Sequence, residues 1–417
     1  MFSRLTSSSA LTVYIPPAIY AAGSTIDGEV QIQFRDLQDE NIEEVQLRLR
    51  GTSKTFINRD RSSMWENIRL ARVDSTLWSK GAAYPPAGSD VLRVPFSVPL
   101  PEQLPPSFHM HVFAAKGDIR YSLSAVGVRK GLLNLNRRHV VPLAVLPRDE
   151  LGAQLKAEHA THGWKAFQKE DRIRKGFWGD YSKVHVELSL PSIPVLPLFS
   201  DIPFTIRITT TTPPASRSKA DASPSDKPLF PPVPLLPNGI QFSLLRKVRL
   251  RAKMFTDRSS KDVAVFLGEK KSGQPYGCAG PVETVPPVKE WVEVGSALVQ
   301  DEKAKEEGKE AGSDAKGSWV QRAVFHSTFR LDCPPTFAVH NIECSHQLVV
   351  KVPFPGIGND LKLEVPVTVT SGIDKPLPRD SQSVSKDGEP AQPPPNLDLP
   401  PAYWDASDQD WAGDEKD

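Results

Sequence analysis

Ile119-Arg120-Tyr121-Ser122-Leu123-Ser124-Ala125 alternates without a break between two kinds of side chain. An extended chain sends successive side chains to opposite faces, so Tyr121, Leu123 and Ala125 share one face and point into a core. The same period of two recurs at 29–34, 45–49, 91–98, 184–190, 204–209, 248–254, 348–352 and 361–369, in segments rich in Val, Ile, Leu and Thr. Gly, Pro, Asn or Asp punctuate the gaps. Helical periodicity is nearly absent. The exception is the charged stretch 149–174, which reads as a short surface helix or a linker. Strands at short spacing without intervening helices point to antiparallel sandwiches rather than βαβ units.

Strand density ends near Leu146, resumes near Lys183 and ends again near Ile373. The expected organisation is therefore all-β: a sandwich over 1–147, a charged connector over 148–182, and a second sandwich over 183–373. Two insertions of the second block, near 211–237 and 300–318, are dominated by Pro, Ser and Thr and by Lys, Glu, Gly and Ala respectively. Both are expected to be disordered, as is the polar, Pro-rich tail 374–417, because they carry little apolar surface to bury. Gly23 and Gly28 are expected at tight turns with positive φ. Pro95 and Pro99 mark their strand as an edge or an interrupted one.

Composition narrows the function. The 51 Lys+Arg and 50 Asp+Glu residues give a net charge of +1, which argues against a globally basic nucleic-acid binder. The 3 cysteines, Cys278, Cys333 and Cys344, form an odd and sparse set that fits a reducing compartment better than a disulfide framework. No run approaches the ~18 apolar residues of a membrane span. Near the N-terminus, Thr12, Tyr14, Pro16 and Pro17 interrupt any signal-like apolar core. The expectation is a cytoplasmic protein. No catalytic set emerges: Gly-x-Ser-x-Gly, Walker and His-Glu-x-x-His sequences are absent, and Gly356-Ile357-Gly358 lacks a third glycine and a following helix. His109 and His111 share a strand face without a third ligand nearby. Cys333, His340, Cys344 and His346 lack zinc-finger spacing and read as structural. No enzyme activity, metal or cofactor is expected.

Several strings carry a resemblance. Tyr20-Ala-Ala-Gly23-Ser-Thr-Ile26-Asp-Gly28-Glu-Val30 is followed by Val45-Gln-Leu47-Arg-Leu49-Arg-Gly51. Then come Val94-Pro95-Phe96-Ser-Val98-Pro99-Leu100-Pro101, Leu104-Pro105-Pro106-Ser107-Phe108 and the opening Ile119–Ala125 segment. Together they resemble the N-terminal domain of the arrestin superfamily, best the α-arrestins or arrestin-related trafficking adaptors. Leu363-Glu-Val365-Pro366-Val367-Thr-Val369 looks like the last strand of an arrestin C-terminal domain. The resemblance spans about 10–373 and implies a non-enzymatic adaptor acting at the cytoplasmic side of the plasma membrane or endosomes.

The tail adds Pro400-Pro401-Ala402-Tyr403, a Pro-Pro-x-Tyr motif. Adjacent prolines preset a polyproline II ridge that fits the aromatic groove of a WW domain, with Tyr403 in a neighbouring pocket. The resemblance implies that the partner is a HECT-type ubiquitin ligase bearing WW domains. The sandwiches would engage the cytoplasmic tail of a membrane transporter or receptor, whose ubiquitination then directs endocytosis. The alternative is an arrestin-fold trafficking or signalling scaffold uncoupled from ubiquitin transfer.

Two basic features remain. Lys247, Arg249, Arg251 and Lys253 alternate with Val248, Leu250, Ala252 and Met254, placing four cations on one strand face and the apolar set on the other. The stripe reads either as an ordinary solvated face or as a patch for acidic cargo tails or anionic lipid. Arg129-Lys130 and Arg137-Arg138 flank Leu132-Leu133-Asn134-Leu135, a loop that either packs or touches a membrane surface.

Overall fold

The computed structural model describes residues 10–129, 136–158, 163–176, 178–217, 229–269, 280–293 and 316–378. The chain is all-β, built as two sandwiches. The first holds β1 (Leu11–Tyr14), β2 (Ala18–Ala21), β3 (Thr25–Gln33), a short helix α1 (Phe34–Asp39), β4 (Ile42–Arg59), β5 (Ser62–Ser79), β6 (Val91–Pro99), β7 (Phe108–Val112), β8 (Ala115–Arg129) and β9 (Arg137–Leu146). One sheet runs β1-β3-β6, the other β2-β9-β8-β4-β5 with β7 beside β8. Pairing is antiparallel except between β2 and β9. As the alternation requires, Tyr121, Leu123 and Ala125 on β8 are fully buried. The Tyr121 hydroxyl satisfies its polar tip by donating to Pro105 O at 2.8 Å.

Two glycines behave differently. Gly23 has φ 77°, the turn conformation expected of it. Gly28 does not sit at a turn. It lies within β3, opposite Phe96 on β6, where a Cβ would stand 2.4 Å from Tyr14 O and 2.6 Å from the Phe96 ring. The constraint there is close approach rather than φ. Pro95 and Pro99 lie on β6, the edge of its sheet, where a missing N–H leaves no gap in a ladder.

The second sandwich holds β10 (Trp164–Arg174), β11 (Tyr181–Pro191), β12 (Leu196–Pro197), β13 (Asp201–Thr211), β14 (Ala215–Ser216), β15 (Gln241–Ala252), β16 (Phe255–Leu267), β17 (Glu283–Glu293), β18 (Lys316–Arg330), β19 (Phe337–Ala338), β20 (Ile342–Val352), β21 (Leu361–Val367) and β22 (Val369–Thr370). One sheet runs β10-β11-β13-β18, with β14 and β17 also on β18; the other runs β16-β15-β20 with β19 and β21 on β20. Phe204, Phe242, Phe266 and Phe329 meet between them with centroids 4.6–6.0 Å apart.

The connector and the first insertion hold more structure than composition alone suggests. The stretch 148–182 is more than a connector. It contains α2 (Glu150–Ala157), capped by the Asp149 carboxylate accepting from Gly152 N–H at 2.9 Å. It also contains β10, which pairs along its whole length with β11. β10 is an edge strand whose only buried residue is Ile173, so its sequence lacks the apolar alternation of a core strand. The insertion 211–237 is partly built in: Val233 is buried, and Pro231 O accepts from Thr210 Oγ1 at 2.9 Å and Gln321 Nε2 at 3.0 Å. Residues 218–228 lie outside the described residues, as do 300–315. Of the tail, β23 (Leu377–Pro378) pairs with β2 through Leu377 and Ile19, and 379–417 lie outside the described residues.

The sandwiches share cores. Phe242 and Leu244 of β15 pack inside the second sandwich, whereas Val248, Leu250 and Ala252 of the same strand join the apolar cluster of the first. Ile19, Ala21, Ala144 and Leu146 of β2 and β9 reciprocate by packing in the second cluster. Gly117 permits the approach, since a Cβ there would meet Leu250 Cδ2 at 2.6 Å.

Candidate functional site

Pro400, Pro401 and Tyr403 lie outside the described residues. The structure does show where that tail is rooted. Asp149 accepts from Gly372 N–H at 2.9 Å, Lys156 Nζ donates to Gly372 O at 2.6 Å, and Ser371 Oγ donates to Pro147 O at 2.5 Å. Burial is the main cause that lowers the Lys156 ammonium to about 8. This clasp ties the end of the second sandwich to the segment leaving the first. β23 then carries the chain back along β2, so the tail departs from the first sandwich.

The basic stripe is not uniform. Lys247, Arg249 and Arg251 do share a face of β15, but β15 ends at Ala252. Lys253 instead occupies the turn into β16 at φ 54°, and Met254, expected in the interior, is 78% exposed. Lys247 adds to the field of Lys362, whose hydrogen bond and charge hold the Glu364 carboxyl below the usual carboxylate range. Arg249 pairs with Glu343 across β20 at 3.2 Å. Both side chains lie along the solvent face. Arg251 and Lys253 face the other sandwich. Glu66 on β5 accepts from Lys253 N–H at 3.1 Å, and stands 4.0 Å from Arg251 Nη2 and 3.4 Å from His340 Nε2. Arg251 also contacts His340, and Lys253 Nζ lies 5.9 Å from the Trp65 ring centre. Half of the stripe is a solvent-facing patch and half is part of the seam.

Next to it lies a group of buried polar residues that the alternation did not reveal. Asn341 is 1% exposed. It accepts from Ser53 Oγ at 2.7 Å and donates from Nδ2 to Ser53 O at 3.4 Å and Thr55 Oγ1 at 3.3 Å. Thr55 Oγ1 in turn donates to Arg251 O at 2.5 Å. These bonds join β4 to β15 and the turn before β20 across the domain boundary. Arg246 breaks the alternation of β15: it points inward, is buried, and lies 5.7 Å from the Phe108 ring of the first sandwich. No pattern within one segment announces such residues, since each is explained by a partner far away in sequence.

The remaining candidates fall into place separately. His109 pairs with Asp118, which also meets Arg120 at 3.4 Å. Cys333 Sγ lies 3.9 Å from His346 Nε2, while His340 sits apart at the Glu66 seam. Burial, reinforced by the Arg246 charge, pushes the His346 imidazole down to about 3, and burial pushes the Cys333 thiol up. Among the described residues no group of three or more His, Cys, Asp or Glu side chains is arranged to hold a metal ion. Arg129 and Arg137, the shoulders of the basic loop, both pair with Glu40, and the loop tip 130–135 lies outside the described residues. Among the described residues no helix is long and apolar enough to cross a membrane.

This geometry comprises a solvent-facing cationic face on β15 and a buried polar seam between the sandwiches. Compared with known families, residues 12–148 match the model of the arrestin (or S-antigen) N-terminal domain. That match coincides closely with the first sandwich. No curated protein matches the chain in sequence.

Proposed function

We propose that this protein is an α-arrestin-type adaptor that links the cytoplasmic tail of a membrane transporter or receptor to a WW-domain HECT ubiquitin ligase, at the plasma membrane or endosomes. The observation that carries the reading is the presence, on one chain, of a first sandwich matching the arrestin N-terminal domain and a Pro-Pro-x-Tyr sequence at Pro400, Pro401 and Tyr403. The sandwiches provide the surface for cargo and the tail provides the ligand for the ligase. No chemistry is asked of the protein itself. Two modest contacts on one chain raise the effective concentration of ligase at cargo lysines. Lys247 and Arg249 are the cationic residues we assign to acidic cargo or to peripheral contact with anionic lipid, because they lie on the solvent face, Arg249 in a half-exposed pair with Glu343, whereas Arg251 and Lys253 turn to the seam. The reading is tested by capture of the full chain on immobilised WW domains, comparing wild type with Tyr403→Ala. Retention of wild type and loss of the variant is the expected result. Equal capture, or none of either, removes the ligase from the account.

A further inference from the structure

We propose that the free edge of β5 is a strand-addition site for an extended peptide of a partner protein whose side chains alternate between acidic and apolar. β5 ends the sheet β2-β9-β8-β4-β5. It is 18 residues long, and among the described residues no strand pairs with its outer side. A long free edge offers a row of N–H and C=O groups at the spacing another chain needs. Two other edges are blunted by proline: β6 carries Pro95 and Pro99, and β17 carries Pro286 and Pro287, while the proline-free edges β10 and β16 are shorter than β5, at 11 and 13 residues. β5 contains none.

The register shift beside Leu70 divides the edge, and Glu66 commits the near half to the seam. The segment from Ala71 to Thr76 is clear of both, pairing with β4 from Gly51 to Gln46. Its two faces differ in chemistry. On the core side Leu70, Val73 and Leu77 are only partly buried, although they pack against the first cluster. A strand laid alongside would complete their burial. On the other side Arg72 stands opposite Arg50 and Asp74 opposite Arg48 of β4, while Arg69 lies past the register shift, opposite Thr52. Two carboxylates stand among them: Asp74, held by Arg50 at 2.6 Å and Arg72 at 2.9 Å, and Glu44, which accepts from Thr76 Oγ1 at 2.6 Å and feels the Arg48 charge. Arg50 Nη1 also reaches the Val73 carbonyl at 3.3 Å, which keeps its guanidinium next to the edge.

Arg48, Arg50, Arg69 and Arg72 against Asp74 and Glu44 leave this face net cationic, and that selects the occupant. A second copy added edge to edge would bring this cationic face against itself, and like charges across a strand pair are destabilising. A peptide with acids at every second residue places them over the arginines and its apolar residues beside Leu70, Val73 and Leu77. Sheet order and side-chain chemistry set this occupant, independently of the ligase and the membrane cargo.

The test is fluorescence anisotropy with the full chain and a labelled decapeptide of alternating Glu and Val. A Lys–Val peptide of the same pattern and a Glu–Val peptide N-methylated at every second residue serve as controls. The Glu–Val peptide is expected to bind and to slow hydrogen exchange at amides 71–76. The Lys–Val and N-methylated peptides are expected to fail, and Arg69→Glu with Arg72→Glu to weaken binding roughly tenfold or more. Arg69→Glu alone, at an exposed site, should weaken binding in the same direction. Equal binding of either control, protection elsewhere than 71–76, or concentration-dependent protection of 71–76 without peptide would overturn the assignment.

Discussion

Replacing Asn341 by alanine tests whether the polar seam holds the two sandwiches together. Asn341 and Ser53 are 1% and 0% exposed, and no water reaches them to replace a lost partner. The variant orphans the Ser53 hydroxyl, which donates to Asn341 Oδ1 at 2.7 Å, and removes a donor from Thr55 Oγ1. A buried polar group without a partner costs about 1–3 kcal/mol. The cavity left by the amide adds about 1 kcal/mol. Asn341→Ala should therefore destabilise by about 2–4 kcal/mol, a large share of the stability of a typical domain. Ser53→Ala should cost less, because the smaller side chain leaves one amide oxygen unpaired. The double variant removes both orphans, so the two effects should not add. A coupling of about 1–2 kcal/mol is expected between residues 288 apart in sequence. Urea unfolding followed by both far-ultraviolet circular dichroism and tryptophan fluorescence supplies the cycle, and coincident transitions license the two-state treatment. Additivity within about 0.3 kcal/mol would refute the claim that this pair bridges the domains.

Other consequences are equally specific. Gly28→Ala should cost about 1–3 kcal/mol in the same unfolding assay, since the new methyl group meets Tyr14 O and the Phe96 ring; a neutral effect contradicts the close approach. Burial keeps His346 neutral in the fold, with its imidazole at about 3 against 6.5 for a free one. The unfolded chain therefore takes up a proton below pH 6.5 that the folded chain refuses, and stability contributed above that pH is lost as pH falls toward 3. Between pH 6.5 and 5 the loss is about 2 kcal/mol, and His346→Asn should flatten that part of the pH profile. Lys247→Glu with Arg249→Glu should lower the melting temperature only slightly, because the Arg249–Glu343 pair is half exposed, while reducing vesicle or cargo capture. Arg251→Glu, placed against the more buried Glu66, should lower the melting temperature further; equal melting of both variants would show that the stripe is uniform after all.

The strands that bury one face were legible because burial writes a period of two into the sequence. β11, β13 and the end of β20 are of this kind, and β8 keeps a polar–apolar alternation although both its faces are buried from Tyr121 to Gly127. Strands whose faces meet solvent left little trace. β10 buries only Ile173, and every residue of β17 from Glu283 to Glu290 is exposed, so neither shows an apolar alternation. β5 was missed for the same reason, its core-side row being only half buried at an open edge. Alternation continues past Ala252 to Met254 and so mimics a longer strand, while the positive φ of Lys253 turns the chain. Asn341, Ser53, Glu66 and Arg246 answer to partners across the domain boundary, and a reading along the chain has no access to them. The Pro-Pro-x-Tyr motif is the opposite case, legible from its own chemistry without a fold.

The adaptor account turns on Tyr403. Tyrosine is a frequent anchor at interfaces, and losing an anchor costs about 2 kcal/mol or more, roughly thirty-fold in affinity. With one such motif in the chain, no second copy compensates through avidity. Titration calorimetry of a peptide spanning Asn396 to Asp410 against WW domains of HECT ligases measures this directly. The account predicts binding of the wild-type peptide and a loss of roughly thirty-fold or more on Tyr403→Ala. Equal heats and equal affinities for the two peptides across those WW domains would contradict it.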